Sequence, residues 1–241
     1  MIVYKPIGDI RSLSFDLDDT FYTNWPYIVE AEQHLRAHIK AQYAVAANFS
    51  GDDWHEFKRQ ALQVDPGLYS DMGELRRQTL HIAFKAANMA RNKIDHAVND
   101  CFDVFYHKRS DFNVDKQVHT VLSTLANKVP LVAITNGNVN CQQIGIAHYF
   151  SHILQANKHQ RMKPHRDMFA AASALLDLPP RQILHVGDNL EKDVWGATRA
   201  GMQSAWFAYD RNMVLGTEKA LTLPHIQLNS LDELPLLLKQ M

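Results

Sequence analysis

Only two of the 241 residues are cysteine, Cys101 and Cys141, and their spacing matches no metal-ligand pattern. A disulfide framework is thereby excluded, and both are expected to be reduced, partly buried thiols. No apolar run approaches the ~20 residues that span a bilayer, so no membrane is expected as a partner. The first residues carry Lys5, Asp9 and Arg11 and hold no signal-type apolar stretch, which makes a cytoplasmic location the expectation. A basic surplus is missing as well: 25 Lys and Arg against 26 Asp and Glu leave a net charge of −1, so nucleic acid is not an expected partner. The 13 histidines are scattered without a His-Glu-x-x-His spacing, and no zinc site is read from them. Nor is there an internal repeat or a low-complexity segment. What is present, 46% hydrophobic residues in a chain of this length, suffices for a full core, either one large domain or a core domain carrying an insertion.

The informative segment is Leu13-Ser14-Phe15-Asp16-Leu17-Asp18-Asp19-Thr20, a short apolar run that reads as a buried strand and ends in acids. The carboxylates are expected at the carboxyl end of that strand, where open α/β sheets gather their ligands. Side chains two apart on an extended chain face the same way, which aims Asp16 and Asp18 at one point. Close carboxylates repel by ~4 kcal/mol per pair at an effective dielectric near 20, and a hard divalent cation is the usual compensation. Two further strand patterns also end in polar groups. Leu131–Ile134 runs into Thr135, Asn136 and Gly137, and Ile183–Val186 runs into Gly187, Asp188 and Asn189, with Asp193 five positions beyond Asp188. Lys163-Pro164 lies between them. Each residue also has a bland role: Thr135 capping a turn, Lys163 at the surface before a helix, Asp188 in a turn, Asp193 capping its helix. His185, inside a strand pattern, is expected to be a hydrogen-bonded core histidine.

Between the first acids and Leu131 no convincing strand pattern occurs, only helical ones. Ile28, Ala31, Leu35 and Ile39 recur behind Pro26; Trp54, Phe57 and Ala61 mark a second helix; Leu75, Ile82, Ala83 and Ala86 a third; Ile94, Val98, Cys101, Phe102 and Phe105 a fourth, with Asn92 as its cap. After that, helix and strand patterns alternate, with a helix from about Asp193 to Gly201, strands over Gln203–Phe207 and near Ile226, and a final helix whose Ser230 and Glu233 match a capping box. Such alternation predicts an α/β fold, a parallel sheet wrapped by helices on both faces.

Acid pair, hydroxyl, lysine and second acid pair, in that order and mostly at strand ends, resemble the four signature motifs of the haloacid dehalogenase superfamily. The resemblance implies a Rossmann-like, doubly wound parallel-sheet core over residues 1–21 and 114–241, with a helical cap over residues 22–113 inserted between the first two motifs. It further implies that Asp16 is a nucleophile forming an aspartyl-phosphate and that Asp18 protonates the leaving group and then activates water. Mg²⁺ would be held by the Asp16 and Asp188 carboxylates and the Asp18 backbone carbonyl, with Asp193 close by. Thr135 and the Asn136 amide would hold phosphate oxygens, and Lys163 would neutralise charge.

Dehalogenating members lack the second aspartate of the first motif, because a halide leaves without a proton, so Asp18 favours a phosphatase. A phosphonatase would need a cap lysine, and nothing singles out Lys40, Lys58, Lys85 or Lys93. A non-catalytic receiver domain carries a similar residue set in a different order and lacks the helical insertion. In the cap, Tyr22, Trp25 and Tyr27 are candidates to stack a flat ring, and His107-Lys108-Arg109 to meet an anion. Phe15–Thr20, Leu131–Asn138 and Leu184–Trp206 resemble the bacterial flavin-pathway phosphatases, which act on 5-amino-6-(5-phospho-D-ribitylamino)uracil and on FMN. The expected partner is therefore a small phosphorylated metabolite, with the chain a monomer or homodimer and a broad-specificity nucleotide or sugar-phosphate phosphatase as the alternative.

Overall fold

The computed structural model describes residues 1–238. Strands β1 (Ile2–Val3) and β2 (Ser12–Phe15) are followed, without an intervening strand, by helices α1 (Trp25–Gln42), α2 (Gly51–Val64), α3 (Met72–Ala86) and α4 (Arg91–Arg109). The chain then alternates through α5 (Lys116–Ala126), β3 (Leu131–Thr135), β4 (His152–Gln155), α6 (Asp167–Leu176), β5 (Ile183–Gly187), α7 (Gly196–Arg199), β6 (Gln203–Trp206), β7 (Ile226–Gln227) and α8 (Glu233–Leu237). A single seven-stranded sheet results, in the order β1-β7-β6-β5-β2-β3-β4, parallel throughout except for β1 against β7.

The central strands are covered on both faces, which is why they read as continuous apolar runs instead of alternating ones. Every residue of β2, β3 and β5 is buried. One face packs Leu13, Phe15, Leu131 and Ala133 against α5 and α8 residues such as Val121, Leu122 and Leu234; the other packs Val132, Ile134 and Ile183 against Met168, Phe169 and Ala172 of α6. The unread strands are the edges: β1 has two exposed residues, and β4 is only partly covered. Neither buries enough side chain to leave a period in the sequence.

The four inserted helices enclose a core of their own, in which Ala31, Leu35 and Ile39 of α1 meet Leu80 and Phe84 of α3 and Ile94, Cys101 and Phe105 of α4. Pro26 stands in the first turn of α1, where its missing N–H costs nothing. Ser50 and Asp53 form a reciprocal capping box that starts α2. Three local expectations need correction. Helix α4 begins at Arg91 with Ala90 as its cap residue, so Asn92 lies inside the first turn. Ala86 is exposed, and the buried face of α3 runs through Leu80 and Phe84. At α8, Glu233 accepts from the Asn229 N–H and Ser230 from the Asp232 N–H, a looped variant of the expected box. Cys101 and Cys141 are both free and buried, and burial pushes their thiols up to about 12 and about 11.

Candidate active site

Strand β2 lies between β3 and β5, so the carboxyl ends of three adjacent parallel strands deliver Asp16, Thr135 and Asp188 to one edge of the sheet. The chain leaves β2 toward β3 on one side and β5 on the other, the reversal at which open α/β sheets open a crevice. Lys163, from the loop after β4, reaches into that crevice and is 1% exposed. Its Nζ donates to Asp193 Oδ1 at 2.6 Å and pairs with Asp16 Oδ1 at 2.8 Å. The lysine loop is itself anchored by Asn136, whose side chain accepts from the Lys163 N–H at 2.7 Å and donates to the Lys163 carbonyl at 2.9 Å. Thr135 is buried and its hydroxyl accepts from the Gly137 N–H at 3.0 Å, which tightens the turn after β3.

Asp193 sits in a one-turn π-helix, Leu190–Trp195, that precedes α7. Asn189, not Asp193, caps that turn, accepting from the N–H groups of Glu191 and Lys192. This frees Asp193 to fold back over Gly187, where it accepts from the Asn189 N–H at 3.0 Å and faces His185 Nε2 at 3.1 Å. A β-carbon at Gly187 would lie 2.6 Å from the Asp193 β-carbon, so the approach depends on glycine. His185 is fully buried and burial lowers its pKa, so the ring is neutral near pH 7. Its Nε2 therefore donates to Asp193 while Nδ1 accepts from the Ser14 hydroxyl at 2.9 Å. The histidine thus belongs to the support of the second acid pair.

Asp16, Asp188 and Asp193 place carboxylate oxygens within 4.8 Å of one another. The charge balance of this cluster is uneven. Burial, with Asp193 and Asp188 adding to it, pushes Asp16 well above the usual carboxylate range in spite of Lys163. Burial and Asp193 push Asp188 up to about 7 although Arg211 opposes them. Burial alone would raise Asp193 too, but Lys163 and His185 hold it well below the usual range. Three carboxylates thus share two cations, Lys163 between Asp16 and Asp193 and Arg211 at Asp188. Three hard oxygen donors short of positive charge fit a small divalent cation such as Mg²⁺.

Asp18 is placed apart from this cluster. Strand β2 ends at Phe15, and the backbone turns so that Asp18 Oδ1 accepts from Tyr22 Oη at 2.6 Å and Arg109 Nη2 at 2.7 Å. Asp19, at φ 59°, turns away again and accepts from the Asn24 N–H at 2.8 Å. Asp16 and Asp18 thus meet different partners, Lys163 for the first and Tyr22 with Arg109 for the second, while Asp19 caps the segment before α1. The other Asp18 oxygen abuts Gly137 closely enough that a β-carbon there would collide with it.

The helical insertion closes onto the core at its far side, where the Ser70 hydroxyl accepts from the Met162 N–H at 3.2 Å. Between the two lies a cleft of about 330 Å³ lined by Asp71, Phe102 and Tyr106 from the helices and by Gly137, Asn138 and Gln155 from the core. Phe102 and Tyr106 are stacked with ring centroids 5.7 Å apart, and the Arg77 guanidinium covers Phe102 at 3.7 Å. The expected ring-stacking residues lie elsewhere. Tyr22 is buried, Tyr27 is stacked on Phe112 at 3.9 Å, and Trp25 is 72% exposed. The basic run is likewise divided. Lys108 pairs with Glu30 and Asp111, His107 faces Gln143, and only Arg109 turns inward. Arg211 had no sequence signal; it comes from an irregular loop and bridges Asp188, Asp210 and Glu218.

A sequence profile described as haloacid dehalogenase-like hydrolase matches residues 10–201. The chain is 34% identical, over 97% of its length and 98% of the relative's, to the 5-amino-6-(5-phospho-D-ribitylamino)uracil phosphatase YigB of Escherichia coli. A glyceraldehyde 3-phosphate phosphatase of Methanopyrus kandleri is 29% identical over 80% of this chain and 82% of that one. Among solved structures, a 2-haloacid dehalogenase from Pseudomonas syringae superposes with a TM-score of 0.89 at 29% identity, covering 96% of this chain and 99% of that one. Fold, motif order and sequence agree, and the chain belongs to the haloacid dehalogenase-like hydrolase family.

Proposed function

We propose that this hydrolase is a Mg²⁺-dependent phosphomonoester hydrolase, acting on 5-amino-6-(5-phospho-D-ribitylamino)uracil and FMN, with residues 22–113 serving as the cap. The observation that carries the reading is that the two leading acids have different partners. Asp16 sits beside a buried ammonium, as suits a nucleophile toward phosphorus, while Asp18 stands apart on its own donors next to the turn after β3. A group that must carry a proton to a leaving alkoxide has to be held independently of the nucleophile. Dehalogenation needs no such group.

In this mechanism the Asp16 carboxylate attacks phosphorus as the bond to the leaving oxygen breaks, and a proton passes from Asp18 to that oxygen. Water then releases phosphate from Asp16, giving its proton to Asp18. Lys163 neutralises charge on nucleophile and phosphoryl group, and Thr135 with the Asn136 amide holds phosphoryl oxygens. Asp16, Asp188 and the Asp18 carbonyl, with Asp193 close by, would hold Mg²⁺, which would supply electrostatic stabilisation of the transferring group. The cleft beside Gly137 takes the leaving group, and its stacked Phe102 and Tyr106 suit a planar ring.

Phosphate release with Mg²⁺ across the ribitylaminouracil phosphate, FMN, nucleoside monophosphates and sugar phosphates tests the reading, with Asp16→Asn as the blank. Preference for ribityl phosphates supports it, and a flat profile favours a broad-specificity phosphatase, consistent with the sugar-phosphate relative. Halide release from 2-haloacids without phosphate release would refute it in favour of the dehalogenase chemistry named for the structural relative.

A further inference from the structure

We propose that Arg109 and Tyr22 are positioning residues for Asp18, fixing the carboxyl that delivers the proton to the leaving group. The inference rests on the phosphatase reading above. Arg109 is the last residue of α4, at the root of the helical insertion, and its side chain is 1% exposed. Nη2 alone is engaged, donating to Asp18 Oδ1 at 2.7 Å and to Asn24 Oδ1 at 3.1 Å. Nε and Nη1 are buried without a hydrogen-bond partner among the described residues.

As a structural tie this arrangement is poor. Each buried donor left unpaired carries a desolvation cost, larger for a charged group, and an apolar side chain of similar volume commonly does as well or better. The guanidinium does accomplish one thing. Together with the Tyr22 hydroxyl at 2.6 Å it saturates Asp18 Oδ1, which leaves Oδ2 as the free oxygen and presses it against Gly137. Gly137 belongs to the turn after Thr135 and lines the cleft between helices and core. A proton on Oδ2 is therefore held where a leaving group in that cleft departs. Tyr22 lies in the connection that enters the insertion and Arg109 ends the last helix of the insertion, so the acid is referenced to the root of the cap from both sides.

The experiment compares kcat/KM, which reads the steps up to leaving-group departure, for FMN and for p-nitrophenyl phosphate. An alkoxide needs the proton, whereas p-nitrophenolate leaves without it. Asp18→Asn should lower kcat/KM for FMN about 100-fold more than for the aryl ester, within the range of general acid catalysis. Arg109→Met and Tyr22→Phe should show the same selectivity, about 10-fold or more, and Arg109→Lys should restore part of it. Equal losses on both esters from Arg109→Met and Tyr22→Phe, with Asp18→Asn still selective, would assign the pair to structure and overturn the inference. If Asp18→Asn is itself unselective, the acid role of Asp18 falls, and the inference with it. If Arg109→Met fails to fold by circular dichroism, Tyr22→Phe, which removes one hydroxyl, decides the outcome alone.

Discussion

Lys163→Met is the perturbation with the best-defined consequence. The lysine ammonium is buried between Asp16 and Asp193, at 2.8 Å and 2.6 Å, and methionine replaces its stem with little loss of packing volume. What disappears is the charge. Removing one partner from a buried ion pair costs about 3–5 kcal/mol, because the other is left uncompensated. Two features of the site place this case at the lower end. Asp193 keeps its bonds from His185 and the Asn189 N–H, and burial already raises the Asp16 pKa against the pull of Lys163.

A loss of about 3 kcal/mol lowers the melting temperature of a chain this size by about 6–12 °C. The loss also depends on pH, with a definite sign. Without the lysine, the folded-state pKa of Asp16 rises still further above its unfolded value. Such a carboxyl takes up a proton in the folded state first, so acid favours the folded variant. The deficit is therefore largest near pH ~8 and shrinks toward pH ~5. Adding Asp16→Asn removes the stranded charge and should recover about 1–3 kcal/mol as coupling. Differential scanning calorimetry of the metal-free protein and the three variants, at both pH values, measures each quantity. A deficit below about 1 kcal/mol, or one independent of pH, would refute the assignment of Lys163 as the charge partner of both acids.

Gly187→Ala places a β-carbon 2.7 Å from Asp193 Oδ2, so Asp193 must move; kcat should fall about 100-fold, and an unchanged kcat would show that its position is not critical. Because burial and Asp193 push Asp188 up to about 7, with Asp16 raised as well, Mg²⁺ affinity measured by calorimetry should rise by up to about tenfold per pH unit as pH climbs toward that value. An affinity constant across the range would remove Asp188 from the ligand set. Trp25→Ala should leave KM for FMN unchanged, since Trp25 is 72% exposed and outside the cleft, whereas Phe102→Ala should raise it; the reverse pattern would misplace the leaving-group pocket.

The linear order of residues was enough to read the α/β class, the central strands and their polar ends. Buried parallel strands need continuous apolar runs, and the residues that follow them must emerge at one edge of the sheet. Asp16, Thr135, Lys163, Asp188 and Asp193 were legible for that reason, each adjoining such a strand or a loop between two of them. The helical insertion announced itself by the period of its buried faces.

Other features depend on contacts between residues far apart in the chain, and no local pattern encodes those. Arg109 reads as one of three basic residues at a helix end, yet it is the one that packs inward, 91 positions away from its partner Asp18. Arg211 reaches Asp188 from a loop without periodicity. Trp25 and Tyr27 are adjacent to the first motif in sequence, but the turn at Asp19 and the start of α1 carry them away from the cleft. The different partners of Asp16 and Asp18 were hidden for the same reason. Strand geometry says which way a carboxyl faces but not which distant donor, such as Arg109 for Asp18, comes to meet it. The string of residues therefore established which chemical groups stand at the sheet edge, while tertiary packing alone decided which charge each of them meets.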